Sequence, residues 1–214
     1  MNEINWEQSI RQFVMQAASA EPTPGGGSVA ALVAALGAAM TAMVGNLSQG
    51  EKFSAAEPQI STALQVMTKL IKQSEELLAQ DIASFNDYMS TLKLKAVSEE
   101  QKLAKQQALQ AATVQALLVP LQLMLVCKDG LLQAHSIAAI ANKNVISDLG
   151  ISAILLEASA QSALLTIEIN IAALKAAALK EQYSLQASSL MTHITELKNT
   201  ILYTTRLRIA QPSK

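Results

Sequence analysis

Aromatic residues make up only 3% of this 214-residue chain, although hydrophobic residues make up half of it. Its core must therefore be built from Ala, Leu, Ile, Val and Met, and several of these are strong helix formers. The chain has only 8 glycines and 5 prolines, which leaves few turn signals for an all-β fold. The composition predicts an all-α protein, and the length fits one domain over residues 1–214.

Cysteine is nearly absent, since Cys127 is the only one. An internal disulfide is thereby excluded, and a reducing cytoplasm is the expected location. Sixteen basic and seventeen acidic residues give a net charge of -1, which argues against nucleic acid as a partner. His135 and His193 have no partner at metal-ligand spacing, so no metal site is predicted. The first residues do not show the pattern of a secretory signal.

Charge is also absent from residues 22–50, which contain a glycine turn and an Ala-rich segment. Ser28 follows the turn and is predicted to cap a helix, whose free N–H groups would attract an anion; the turn itself consists of Gly25, Gly26 and Gly27. Residues 28–47 have about the length of a membrane span. Anchoring residues are missing from the flanks apart from Lys52, so a helix buried in a soluble bundle is favoured over a span.

Capping boxes predict where several helices begin, because Ser or Asn precedes Gln or Glu by three positions. They are Asn5 with Gln8, Ser54 with Glu57, and Ser98 with Gln101. Pro58 is tolerable in a first turn, whereas Pro120 is expected to kink or break its helix.

Further breaks are predicted at the Asp129-Gly130 step and at residues 142–144. Two last helices are then expected, from Ser147 or Asp148 to about Leu179 and from about Gln182 to Ile209. The result is a bundle of about six or seven helices, several of them long. Its small-residue faces favour a homodimer, because one copy would leave apolar surface uncovered.

Asp81 interrupts the apolar stripe of a long helix, where a carboxylate is costly unless it is paired or functional. It is either a structural acid bonded to a neighbouring helix terminus or to an Arg, or a cleft carboxylate with a shifted pKa. Asp87 falls off the stripe and should be solvated.

A second polar segment contains Asn142, Ser147 and Asp148 at the mouth of an apolar helix. Cap and helix-dipole preferences alone would explain Ser147 and Asp148. Further along, small polar residues recur on one face, which either lets two helices approach closely or lines a cleft. These residues are Ser152, Ser159, Thr166 and Asn170.

Three segments of the chain resemble the cyclodeaminase/cyclohydrolase family of folate enzymes. They are the Thr-Pro-Gly-Gly-Gly-Ser turn with its Ala-rich helix, the Asp-x-x-x-Phe-x-x-Tyr pattern of Asp81, Phe85 and Tyr88, and the Asn-x-x-x-x-Ser-Asp pattern that starts at Asn142. The helix after the last pattern ends in Ile169-Asn170, as is typical of the family. The resemblance covers about residues 6–174 and implies a dimeric helical bundle.

The resemblance also implies an enzyme of one-carbon metabolism. The expected reaction is hydrolysis of 5,10-methenyltetrahydrofolate to 10-formyltetrahydrofolate; cyclodeamination of formiminotetrahydrofolate is the alternative. Asp81 and Asp148 are the candidate proton-transfer groups; the alternative is that one of them binds the donor edge of the pterin instead. Candidate substrate-binding residues are Gly25, Gly26, Gly27 and Ser28 for a carboxylate, Phe85 and Tyr88 for stacking on the pterin, and Asn142, Ser147 and Asn170. No cofactor beyond the tetrahydrofolate substrate and no membrane partner is expected.

Two departures from the family pattern bear on activity, whereas Lys95, in place of a proline of the family, affects only a turn. Glu51 stands in a segment that is commonly basic, and Thr166 stands where the family commonly has a second asparagine. These departures motivate a further alternative, a folate-binding or scaffold protein that does not turn substrate over.

Overall fold

The computed structural model describes residues 5–211, which form six α-helices and no strand. The helices are α1 (Ile10–Ala17), α2 (Gly26–Asn46), α3 (Glu57–Leu92), α4 (Glu99–Ile137), α5 (Ile146–Ala173) and α6 (Ala177–Ala210). Short 3-10 turns, Glu51–Ala56 and Lys143–Val145, precede α3 and α5. The predicted all-α bundle is confirmed, with helices of 36, 39 and 34 residues in α3, α4 and α6.

Helix α2 packs between α3 and α5, and it runs antiparallel to both. Gly45 near its end lies against Leu64 of α3, whereas Gly27 at its start lies against Asp81. Helix α4 packs against both α3 and α5, and α6 packs against α5 and α4. The side chain of Leu156 fits between Gly37 of α2 and Gly130 of α4, so these glycines let three helices approach closely.

Buried hydroxyl groups of α5 form hydrogen bonds with α2. Ser152 Oγ donates to the carbonyl of Gly37 at 2.6 Å and lies 2.7 Å from Thr41 Oγ1. Ser159 Oγ donates to the carbonyl of Ala30 at 2.7 Å, and the Cys127 thiol contacts that hydroxyl. Burial raises the pKa of Cys127 to about 12, so the thiol stays neutral. Of the two interpretations of the small polar face, close helix contact holds for Ser152 and Ser159.

Two of the three predicted capping boxes are wrong. The Ser98 and Gln101 box is confirmed at the start of α4. Helix α1 instead begins with a box of Ser9 and Gln12, because Asn5 accepts the Glu7 N–H in a local turn. Helix α3 follows directly from a 3-10 turn and has no side-chain cap, although Pro58 lies in its first turn as predicted.

Helix α4 is continuous through Pro120 and through the Asp129-Gly130 step. The break predicted at Asp129-Gly130 is wrong, and of the two outcomes predicted for Pro120 the break does not occur. Pro120 has no N–H for the carbonyl of Ala116, one turn earlier. That carbonyl instead accepts a hydrogen bond from Asn170 Nδ2 of α5 at 3.2 Å. The neighbouring helix thus satisfies the group that the proline leaves open.

The junction between α5 and α6 lies at residues 174–176, earlier than predicted. Gln110 of α4 fixes it, because its Nε2 donates to the Ala173 carbonyl at 3.2 Å and its Oε1 accepts the Lys175 N–H at 2.7 Å. A side chain 65 residues away therefore sets this boundary.

Three helical segments are long and apolar enough, by length and composition only, to cross a membrane. They are Gly26–Asn46, Glu99–Ile137 and Lys143–Ala173. In the bundle the most apolar window of the first is half buried against other helices.

Candidate functional site

The glycine turn places the start of α2 beside Asp81 of α3. Gly25 precedes the helix, and no side chain caps its first turn. Ser28 is therefore not the cap that the sequence predicts but the third residue of the helix. Its buried hydroxyl donates to Asp81 Oδ2 at 2.7 Å.

Gly27 allows this contact because a side chain there would collide with the carboxylate. A Cβ atom built on Gly27 would lie 2.1 Å from Asp81 Oδ1, whereas one on Gly26 would meet nothing within 4 Å. The Ser28 backbone N–H also bonds the carboxylate. The first-turn N–H groups of a helix have no partner within it, so Asp81 serves as the anion at this N-terminus.

Opposing effects set the pKa of Asp81. Burial raises it above the ordinary value of 3.8 and outweighs the hydrogen bonds from the Ser28 hydroxyl and backbone, which lower it. Desolvation disfavours the charged carboxylate, whereas donors favour it. A carboxyl group in such surroundings can exchange a proton closer to neutral pH than an exposed aspartate can.

Phe85 and Tyr88 lie one and two turns beyond Asp81 on the same face of α3, and both are half-buried. They lie on the face of α3 that packs against the bundle, and they extend beyond the start of α2, which lies beside Asp81. Asp87 is exposed, as predicted.

The second predicted group lies at the opposite end of α2. The backbone N–H of Asn142 donates to Ser48 Oγ at 2.7 Å, and its Nδ2 donates to the Leu47 carbonyl at 2.8 Å. Asp148, in the first turn of α5, is half-buried, and Ser147 is exposed. Because α2 has 21 residues, its length of about 30 Å separates Asp81 from Asp148 within one copy.

Asn142 and Asn170 both bond to the backbone. Asn142 Oδ1 accepts the Asn144 N–H at 3.0 Å and thereby caps a 3-10 turn. Asn170 Nδ2 donates to the carbonyls of Ala116 and Thr166. These contacts give each residue a structural role, and their predicted contact with substrate stays a prediction.

Comparison with known proteins gives the family. Residues 9–189 match the family described as Formiminotransferase-cyclodeaminase. The chain belongs to this family. It is 30% identical to a methenyltetrahydrofolate cyclohydrolase of Methylorubrum extorquens, over 94% of this chain and 98% of that protein. The predicted family is thereby confirmed.

Other formiminotransferase-cyclodeaminase relatives are longer. The chain is 30% identical to the formimidoyltransferase-cyclodeaminase of Rattus norvegicus over 86% of its own length, but it spans only 34% of that protein. A solved formiminotetrahydrofolate cyclodeaminase of Thermotoga maritima shares the fold. Its TM-score is 0.85 at 24% identity, covering 94% of this chain and 96% of that one.

In this family member, Glu51 lines a cavity of about 320 Å³ beside the end of α2, together with Phe53 and Glu57.

A second cleft, of about 400 Å³, is lined by three lysines that sequence analysis did not single out: Lys102, Lys105 and Lys175. Lys102 and Lys105 lie one turn apart on α4, whereas Lys175 lies at the α5–α6 junction, so no spacing in the sequence relates Lys175 to the other two. Within residues 5–211 no group of three or more His, Cys, Asp or Glu residues is arranged to hold a metal ion.

Proposed function

We propose that this chain is an enzyme that hydrolyses 5,10-methenyltetrahydrofolate to 10-formyltetrahydrofolate. The observation that carries the proposal is the Ser28–Asp81 contact at the start of α2, in a member of the formiminotransferase-cyclodeaminase family. The cyclohydrolase relative supports this reaction in particular, because the likeness extends over nearly the full length of both proteins.

Hydrolysis needs a base, and Asp81 is the proposed one. Water attacks the cationic methenyl carbon and passes a proton to the carboxylate. The carbon–nitrogen bond to the pterin ring then breaks, the ring nitrogen gains a proton, and one proton is released overall. A carboxylate next to the cationic amidinium would also stabilise charge in the transition state. The reaction transfers no electrons, so we propose no redox cofactor.

Substrate contacts are proposed for the residues around Asp81. Phe85 and Tyr88 lie on its face of α3 and are suited to stacking on the pterin ring. The first turn of α2 is occupied by Asp81 itself, so a substrate carboxylate would have to share these N–H groups.

We propose a soluble, cytoplasmic location.

Cyclodeamination is the second candidate, and the family's description favours it. In that reaction a substrate nitrogen attacks the formimino carbon and ammonia leaves. Asp81 would then protonate the leaving group, a role that its raised pKa suits. Binding without turnover is the third candidate, motivated by Glu51 and Thr166.

A homodimer is proposed because α2 presents an uncharged apolar stripe on its outer face. The residues alternate in steps of four and three, the spacing of a coiled-coil seam. They are Val29, Val33, Leu36, Met40, Met43 and Leu47. Leu36 is 50% exposed, and Leu165 and Ile169 on neighbouring α5 are 64% and 74% exposed. A second copy is the occupant that this geometry favours.

An antiparallel pairing of α2 helices about a two-fold axis would complete the site. The start of α2 in one copy would meet the end of α2 in the other. Asp81 would then lie near Asp148 of the partner subunit, although the two are about 30 Å apart within one copy. Both candidate proton-transfer groups would thus serve one cleft between subunits.

The test is the loss of methenyltetrahydrofolate absorbance with purified protein, corrected for spontaneous hydrolysis. Acceleration that falls by about 10²–10⁴-fold in Asp81→Asn supports the proposal. Formiminotetrahydrofolate runs alongside as a second substrate. Turnover of that substrate alone would assign the cyclodeaminase reaction, and tight folate binding with neither turnover would assign the binding protein.

A further inference from the structure

The carboxyl end of α6 lies against the segment that leads to Asp148. Arg208, in the last turn of α6, donates from Nη1 to the Ala138 carbonyl at 2.8 Å and from Nη2 to the Ala141 carbonyl at 2.6 Å. Both alanines are buried, and they follow the end of α4. The last carbonyls of a helix have no partner within it, and a cation is favoured beside them. Arg208 therefore closes the turn that follows α4.

The turn held by Arg208 continues directly into the segment of the second candidate carboxylate. Asn142 follows Ala141, and its backbone N–H and side chain bond to the end of α2. The short 3-10 turn Lys143–Val145 then leads to α5 and to Asp148 in its first turn. This segment is thus held by α6 on one side and by α2 on the other.

Two further contacts join the end of α6 to the same segment. Lys143 Nζ donates to the Gln211 carbonyl, just beyond α6. After Asp148, Gly150 packs against Thr205 of α6, because a Cβ atom at Gly150 would lie 3.1 Å from Thr205 Cγ2. The end of α6 therefore contacts the chain both before and after Asp148.

Asp148 depends on this support because α5 has no cap of its own. No side chain caps the first turn of α5, where Asp148 lies half-buried. Among residues 5–211 Arg208 forms no ion pair with Asp148, so it acts on this carboxylate through the backbone that it holds. The planar guanidinium presents its donors in a rigid fork, which fixes two carbonyl groups relative to each other.

We propose that Arg208 is a positioning residue for Asp148, which it holds in place through the turn at residues 138–141. This inference rests on the proposed function, in which Asp148 transfers a proton or binds the donor edge of the pterin. A displacement of about 1 Å at a reacting group can lower a rate by about 10²-fold. An effect that passes through Asp148 should disappear in a variant in which Asp148 has already been replaced.

Arg208→Gln is the test variant, because glutamine is uncharged and has a single NH₂ group. Arg208→Lys keeps the charge without the fork, so it should restore activity only in part, and it takes the same tests if Arg208→Gln does not fold. Arg206→Gln is the matched control, since Arg206 is exposed in the same turn and forms no hydrogen bond or ion pair among the described residues.

Hydrogen exchange of the backbone amides at residues 138–150, read by mass spectrometry, is the first measurement. Exchange should become about tenfold faster in Arg208→Gln, as for the loss of one hydrogen bond to a charged group, and stay unchanged in Arg206→Gln. This readout does not depend on turnover. Circular dichroism should show the same helical content in both variants.

Turnover of methenyltetrahydrofolate is the second measurement. In Arg208→Gln, kcat should fall about tenfold to hundredfold if Asp148 transfers a proton, whereas KM should rise if it binds the pterin edge. Arg208→Gln should change neither constant in the Asp148→Asn background, whose weak residual turnover is followed at high enzyme concentration.

The outcomes separate this inference from the proposed function. Equal effects of Arg208→Gln in both backgrounds, or unaltered turnover in Asp148→Asn, would overturn the inference and leave the proposed function intact. Faster exchange in Arg208→Gln, with no turnover by the unaltered protein, would support the hold on this segment and overturn the proposed reaction. Unchanged exchange without any turnover would overturn both.

Discussion

Asp81 lies where the apolar stripe of α3 meets the first turn of α2, and its proton affinity reflects both surroundings. Because burial raises its pKa, the folded protein binds this proton more tightly than the unfolded chain does. That contribution to stability is present below the ordinary pKa of 3.8 and is lost as the pH rises through the raised value. A charged Asp81 at neutral pH is thus tolerated at a cost, as is common at functional sites.

Ser28→Ala should raise the pKa of Asp81 further, since it removes a hydrogen bond that lowers it. If the ionised carboxylate is the base, the acid side of the kcat/KM profile should move to higher pH. The measurement is the pH dependence of cyclohydrolase activity. Ser162→Ala is the control, because that hydroxyl bonds only its own helix. An unchanged profile in Ser28→Ala would rule out Asp81 as the titrating base.

Gly27→Ala should displace the Asp81 carboxylate, because the new methyl group would lie 2.1 Å from Oδ1 and collide with it. We expect kcat/KM to fall by about 10²-fold, in line with the displacement of a proton-transfer group. Gly26→Ala is the matched control, since its Cβ meets nothing within 4 Å. Steady-state kinetics and thermal unfolding of both variants are the measurements. Equal activity in the two would show that the position of Asp81 does not matter.

Asp81 could be singled out from the sequence because it is a lone carboxylate on an apolar stripe. The role of Ser28 could not. Its partner lies 53 residues away, and the helix begins two residues before the serine rather than after it. Local cap preferences identify a residue that can bond N–H groups, but they do not show which distant side chain reaches the same turn.

Helix boundaries, too, can be predicted from the sequence only where they depend on local hydrogen bonds. The box at Ser98 opens α4 as predicted because both of its hydrogen bonds are local. Pro120 does not break that helix, because Asn170 on another helix satisfies the carbonyl of Ala116. The α5–α6 junction likewise depends on Gln110. Tertiary contacts therefore account for both of these departures from the prediction.

Asn170→Ala should lower the free energy of unfolding by about 1–3 kcal/mol, because it leaves the Ala116 carbonyl without a partner. Adding Pro120→Ala should recover part of this loss, since the new N–H can bond that carbonyl. Chemical denaturation of both single variants and the double variant measures the coupling. A variant with normal stability but a raised KM would instead favour the predicted contact of Asn170 with substrate.

At the scale of the whole molecule, the antiparallel arrangement of α2 with α3 and α5 separates the two segments that the sequence placed in one site. The distance between the two segments along the chain does not reveal this separation. It becomes visible only when Asp81 is found at the start of α2 and Asn142 at its end. Pairing of two copies through the apolar stripe of α2 would bring the two segments together, one from each subunit. Two sites would then lie between two subunits, each with Asp81 from one copy and Asp148 from the other.

Mixing Asp81→Asn and Asp148→Asn subunits tests this arrangement. If each site takes one carboxylate from each subunit, a mixed dimer has one doubly altered site and one intact site. Random exchange of equal amounts should therefore restore about a quarter of the wild-type activity, although each variant alone is inactive. If both carboxylates acted within one subunit, no intact site would form and mixing would restore nothing. Leu36→Glu, which puts a charge in the apolar stripe, should give monomers by sedimentation and abolish the recovery.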